Sequence, residues 1–155
     1  MQKYLRKYGE ATTIDFVLFG TDGIDFKTDA EHAAGDTKIM KNEGDEANTT
    51  NAFVDEGQGY SLTLTAAEMQ AARVVLYVVD QGTKAWLDTA LIIETYGHAS
   101  AQHAFNPEKA VKMLVNKAVQ NKATGATVYY DDDGETPILT LTPTDSETDI
   151  TRASS

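Results

Sequence analysis

The sequence of 155 residues contains no cysteine. That absence excludes a disulfide framework, a thiolate zinc site and a cysteine nucleophile. Long apolar runs are missing too. The longest, Val74 to Val79, falls far short of the roughly 20 residues a membrane-spanning helix needs. Basic residues are scarce: 13 lysines and arginines stand against 24 acids, for a net charge of −11. So acidic a chain lacks the basic face that nucleic acid or an anionic membrane selects, and neither is an expected partner. The opening residues, Met1-Gln2-Lys3-Tyr4-Leu5-Arg6-Lys7, have no apolar stretch behind their charges, unlike a secretory signal. The expectation is a soluble protein made in a cytosol.

Motifs for chemistry are equally sparse. His98 and His103 stand five apart with His32 far away, which matches neither a helical zinc pair nor HExxH. No GxSxG elbow exists. Gly20-Thr21-Asp22-Gly23 and Gly57-Gln58-Gly59 are not followed by the lysine and long helix of a phosphate loop. Asp131, Asp133 and Glu135 alternate like part of a calcium loop, but Thr142 stands where the closing glutamate belongs. Aspartate and glycine are also ordinary turn residues, so the sequence leaves cation binding there open. Carboxylates are plentiful on any acidic body and do not alone make a glycosidase pair. No catalytic residue, metal ligand or cofactor is assigned, and the chain reads as non-enzymatic. Trp86 is the only tryptophan. It reads as packing or as sheet-face contact, and a glycan-binding host-recognition module is an alternative that this ring would have to carry.

What is present is mostly strand pattern. Ile14, Phe16 and Leu18 alternate in Thr12–Phe19, and Tyr60, Leu62 and Leu64 alternate in Tyr60–Leu64. Weaker segments follow at Ile24–Lys27, Thr37–Lys41 and Ala52–Val54. Arg73–Asp80 is apolar at both parities, the signature of a strand covered on both faces at the centre of a sheet. In Trp86–Thr95, Leu87, Leu91 and Ile93 face one way and Asp88 and Glu94 the other. Thr65-Ala66-Ala67-Glu68 fits a capping box and predicts a short helical turn through Met69–Ala72. Residues 10–97 thus predict seven short strands in an immunoglobulin-like β-sandwich.

The ends differ from this body. Residues 1–9 carry three bases and no acid, residues 10–97 sixteen acids against five bases, and residues 98–155 eight against five. The basic N-terminal segment interleaves Lys3, Arg6 and Lys7 with Tyr4 and Tyr8. It reads either as an arm that clasps an acidic neighbour or as a locally docked first strand. Residues 98–106 form a joint. Asn106-Pro107-Glu108 is a helix start, with asparagine as cap and proline in the first turn. The predicted helix runs to about Lys122, with Val111, Leu114, Val115, Ala118 and Val119 as its apolar stripe. Thr127–Tyr130 and Ile138–Leu141 then predict a hairpin, presenting Tyr129, Tyr130 and Leu139, before a polar tail from Thr142. One short helix and one hairpin are not stable alone in water, so residues 107–155 need something to dock on.

Several segments resemble a module of tailed-bacteriophage virion proteins. They include Tyr8-Gly9-Glu10-Ala11-Thr12-Thr13-Ile14, Ser61–Arg73, Leu91–His103, Asn116–Lys122 and Asp133-Gly134-Glu135-Thr136. Proteins with such modules are described as baseplate-upper-protein-like, or as tail, neck or head-fibre proteins. The resemblance implies a structural protein of the virion, assembled in the host bacterial cytoplasm as a symmetric oligomer, that anchors fibres or neighbouring virion proteins. It carries no catalytic residue across, and a capsid-decoration or head-fibre role is the alternative placement. The expected interaction residues are the basic segment (Lys3, Tyr4, Arg6, Lys7, Tyr8), the helix stripe (Val111, Leu114, Val115, Val119) and the hairpin (Tyr129, Tyr130, Leu139). The charge distribution adds that basic ends meet acidic neighbours, so that association weakens as salt rises.

Overall fold

The computed structural model describes residues 2–145 and 150–154, which form twelve strands and one helix. The protein is mainly β, with open sheets. It divides into two compact units, residues 1–105 and residues 106–155. No helix of the described residues is long and apolar enough to cross a membrane.

The first unit holds β1 (Gln2–Lys7), β2 (Thr12–Phe16), β3 (Thr37–Lys41), β4 (Glu46–Asn48), β5 (Val54–Asp55), β6 (Tyr60–Leu64), β7 (Arg73–Val78) and β8 (Thr89–Tyr96). Five of them make one sheet in the order β1-β8-β7-β3-β4, and three make another in the order β2-β6-β5. All pairs are antiparallel except β1 with β8, which run parallel from Gln2 opposite Leu91 to Lys7 opposite Tyr96. Alternation decides which residues go inside. Ile14 and Phe16, Tyr60, Leu62 and Leu64, Val74, Leu76 and Val78, and Leu91 and Ile93 join one buried cluster fed by both sheets. The twofold apolar character of β7 has a plain cause. It lies between β3 and β8, and its outward Val75, flanked in register by Met40 and Ile92, is buried as well.

The structure decides three local readings. Of the two open for the N-terminal segment it shows the docked strand: residues 2–7 are the edge strand β1. Charged side chains on an edge strand suit that position, because they discourage further pairing. Ile24–Lys27 is no strand, and only a single bridge joins Phe26 to Phe19. The capping box forms, and the single turn it opens spans residues 66–69 rather than Met69–Ala72. The Thr65 N–H donates to Glu68 Oε2 at 2.6 Å and the Glu68 N–H to Thr65 Oγ1 at 3.3 Å, and β7 begins at Arg73 before a helix can extend.

The second unit holds helix α1 (Pro107–Val115) and strands β9 (Ala118–Gln120), β10 (Thr127–Tyr130), β11 (Pro137–Asp145) and β12 (Ile150–Ser154). The strands form one antiparallel sheet in the order β12-β11-β10-β9. Asn106 caps α1 by accepting the Lys109 N–H, and Pro107 opens it. The helix ends at Asn116, well short of Lys122, because the residues beyond it pair as a strand: Val119 lies opposite Val128, and the Tyr130 N–H donates to the Lys117 carbonyl at 3.0 Å. Repeated valines weaken helix propensity and favour that alternative. Of the polar tail from Thr142, residues 146–149 and 155 lie outside the described residues.

Candidate assembly surfaces

The expected interaction residues separate into three places. The first is β1, whose side chains are engaged within their own unit. Lys3 Nζ reaches Glu94 at 2.6 Å, and Lys7 reaches Glu10 at 2.7 Å. The Tyr4 hydroxyl donates to the Asp15 carbonyl at 2.5 Å, and its ring packs on the core; burial raises its pKa. The Arg6 guanidinium sits 5.2 Å from the Tyr4 ring centroid, and Tyr8 stacks on His98 at 4.3 Å. His103 also faces Glu94, at 3.1 Å. Bonds from Lys3 and then His103 hold the Glu94 carboxyl below the usual range. The side chains of Lys3, Tyr4, Lys7 and Tyr8 thus have contacts within their own unit.

The second place is α1. None of its residues is buried. Val111, Leu114 and Val115 share one face by their spacing, and Leu114 is 85 % exposed and Val115 72 %. Beside them lies an open groove of about 410 Å³ lined by Pro107, Glu108, Val111, Lys112, Val115 and Asp132. Polar contacts hold the helix to the hairpin turn. Lys112 Nζ bonds Asp131 and lies 3.3 Å from Asp132, and the Asn116 amide donates to Asp132 at 2.8 Å. Asp131, held chiefly by Lys112, titrates below its ordinary value. Val119 has left this stripe for β9, where it is exposed.

The third place is the hairpin. Tyr129 lies opposite Leu139, with Ala118 of β9 in the same row, while Tyr130 carries Lys117 Nζ over its ring at 4.8 Å. All three expected residues are half-buried. At the turn, Asp133 accepts from the Thr136 hydroxyl and from the N–H groups of Thr136 and Glu135, which brings its pKa down to about 2. Its carboxylate serves the turn, and Asp131 and Asp132 serve Lys112. Among the described residues no group of three or more His, Asp or Glu side chains is arranged to hold a metal ion.

A further surface escaped the sequence. The long β2–β3 connection and the β7–β8 loop meet at one end of the first unit. Gly20 bridges Trp86, the Leu87 N–H donates to the Phe19 carbonyl at 2.9 Å, and the Gln81 N–H donates to Asp36 at 3.0 Å. Asp80 pins the β7–β8 loop. It accepts from the N–H groups of Ala85, Thr83 and Gly82 and from the Thr83 hydroxyl, and these bonds hold its carboxyl far below the usual carboxylate range. The tip exposes Phe19, Ile24, Phe26 and Leu87, with the two phenylalanine rings 5.1 Å apart and Ile24 79 % exposed. Gly23, at φ +70°, turns the chain there, and a Cβ on it would touch Leu87 at 3.6 Å. Leu87 thus points outward, not with Leu91 and Ile93 into the core. Trp86 goes inside in its place, 3 % exposed and edge-on to Phe53, so it offers no open face for a sugar ring. Alternation through Trp86–Thr95 had the wrong start, since β8 begins at Thr89. The available signal was the length of the β2–β3 connection, because long loops in compact domains tend to be functional.

Compared with family models, curated proteins and solved structures, the chain matches none.

Proposed function

We propose that the chain is a non-enzymatic structural protein of a tailed-phage virion, in the tail, baseplate or neck. The first unit is an immunoglobulin-like domain and the second an assembly module that joins copies to each other and to neighbouring virion proteins. The observation that carries the assembly role is the missing interior of the second unit. No side chain from residue 106 to residue 144 is buried, and the apolar face of α1 stands open. A small unit that buries so little apolar surface gains little stability by itself. Contact with another chain supplies what is missing.

Strand order supports the immunoglobulin-like reading. Taking β1 to β8 as strands A, B, C, C′, D, E, F and G gives one sheet with G-F-C-C′ in sequence and A beside G, and a second with B-E-D. The non-enzymatic reading rests on how the carboxylates with the largest shifts are used. Asp80 and Asp133 accept several donors from their own turns, which fixes loops and leaves them ionised rather than poised to move protons.

Mass spectrometry of purified particles and of tail-less heads tests the placement. The chain is expected in tailed particles and absent from heads. Recovery in heads would move it to a capsid-decoration or head-fibre role, and absence from both would overturn the virion reading. The assembly role has its own test: removing residues 107–155 should collapse the oligomer to a monomer in solution. An unchanged mass distribution contradicts it.

A further inference from the structure

We infer that the loop end of the first unit is a second docking site, for a protein surface on a different chain with an apolar centre and a basic rim. This goes beyond the assembly role of the second unit and rests on the same reading of the chain as a structural protein. Phe19, Ile24, Phe26 and Leu87 supply the apolar part, on loops that Asp80 and Asp36 hold in place. Exposed apolar side chains grouped on a braced loop mark interaction sites. The rim is acidic. Asp22 and Asp25 lie on the same loop tip as Ile24, and the Asp22 carboxylate accepts the Ile24 N–H at 3.0 Å. The nearby lysines do not neutralise them, because Lys27 pairs with Asp29 at 2.7 Å and Lys84 with Asp88 at 3.4 Å.

Charge also argues against another copy as the partner. Several of the chain's cations already face acids of their own: Lys3 with Glu94, Lys7 with Glu10, Lys112 with Asp131 and Asp132. Lys112, at the open apolar stripe of α1, thus brings its own acids, with Glu108 also lining the groove there. A copy carrying a net charge of −11 is repelled by the acidic tip, whereas a basic-rimmed partner is steered to it.

The experiment uses the full chain labelled for NMR and two amphipathic probe peptides, one of leucine and lysine, the other of leucine and glutamate. The lysine peptide should shift resonances of residues 19–26 and 86–88 and bind at least about tenfold more tightly than the glutamate peptide. Salt should weaken it. Ile24→Ser with Leu87→Ser should abolish the localised shifts, and Asp22→Lys with Asp25→Lys should reverse the peptide preference. Equal binding of the two peptides, or shifts spread over the acidic body instead of the loop end, overturns the inference. In assembled particles, a photo-crosslinker at position 24 should capture a lysine- or arginine-bearing segment of another protein. Capture of this chain itself, or of nothing, also overturns it. The peptide-binding outcomes do not depend on residues 107–155, so on them the inference and the assembly role of the second unit stand or fall separately.

Discussion

The two units solve the problem of stability in opposite ways. The first encloses side chains from both of its sheets in one apolar cluster, with Ile14, Leu62, Leu76 and Ile93 fully withdrawn from solvent. The second pairs four strands and caps a helix correctly, but it withdraws nothing fully between residues 106 and 144. Its helix is fastened by Lys112 and Asn116 to a turn of aspartates, while its valines and leucine face outward. Hydrogen bonds and ion pairs at a surface contribute little net stability because water competes for the same groups. Local structure can therefore be well formed where the driving force for keeping it is weak. One unit encloses a core of its own, and the other, on the reading proposed above, is completed by a partner.

The largest expected effect is on the first unit. Leu62→Ala opens a cavity between the sheets and should cost about 2–5 kcal/mol. Trp86, the one tryptophan, is buried in that same cluster, so its fluorescence in urea reports this unit alone. A cost near that of a surface change would show that the two sheets do not share a core.

Next comes acid. Burial alone would raise the Glu68 carboxyl, but N–H bonds from Thr65 and Thr50 outweigh it and hold the pKa below the ordinary 4.5. Asp80 lies below its ordinary 3.8, chiefly through the Ala85 N–H and the Thr83 hydroxyl. Both carboxyls bind protons less readily folded than unfolded. Their contribution is complete above the ordinary values and is lost as the pH falls toward the folded ones. Glu68→Gln and Asp80→Asn should lower the stability of the first unit at neutral pH and flatten its decline below pH 4.5. A decline as steep as that of the unaltered chain would remove both carboxylates from the account.

The comparison also explains what the sequence discloses. Clean alternation in Tyr60–Leu64 and the doubled apolar parity of Arg73–Val78 locate two strands and place one at a sheet's centre, because burial acts on each residue where it stands. Thr65 and Glu68 reveal their reciprocal bonds for the same reason: both partners lie within one turn. Pairing across the chain leaves no such trace. β1 looks like a charged tail because an edge strand needs charges, and nothing in Gln2–Lys7 names Leu91–Tyr96 as its partner. The helix stripe loses Val119 because Val128, nine residues on, offers a strand that helix periodicity does not register. Leu87 and Trp86 exchange places because the loop returns to Phe19. The Phe19–Phe26 tip was illegible as a site because its apolar residues read equally well as a strand.

A smaller effect belongs to the second unit. Asn106→Ala removes the acceptor for the Lys109 N–H and should cost α1 about 1 kcal/mol. Hydrogen exchange should quicken in residues 107–116 and leave Trp86 fluorescence unchanged. Quickened exchange throughout the first unit would mean that the two units unfold as one.

The smallest effect on folding should accompany the clearest effect on association. Leu114 is 85 % exposed, so Leu114→Ser should change the stability of the isolated chain by under about 0.5 kcal/mol. If the open stripe is what a neighbouring chain covers, the same change should shift the mass in solution toward monomer. The stripe's lysine is already matched by Asp131 and Asp132, and the second half of the chain has more acids than bases. Apolar contact then carries this association, and raising the salt should leave the oligomer intact or strengthen it by screening like charges. That reverses the expectation drawn from the charge distribution alone, in which basic ends met acidic neighbours. An oligomer that dissolves in salt yet ignores Leu114→Ser would restore the electrostatic account and leave the helix face without a role.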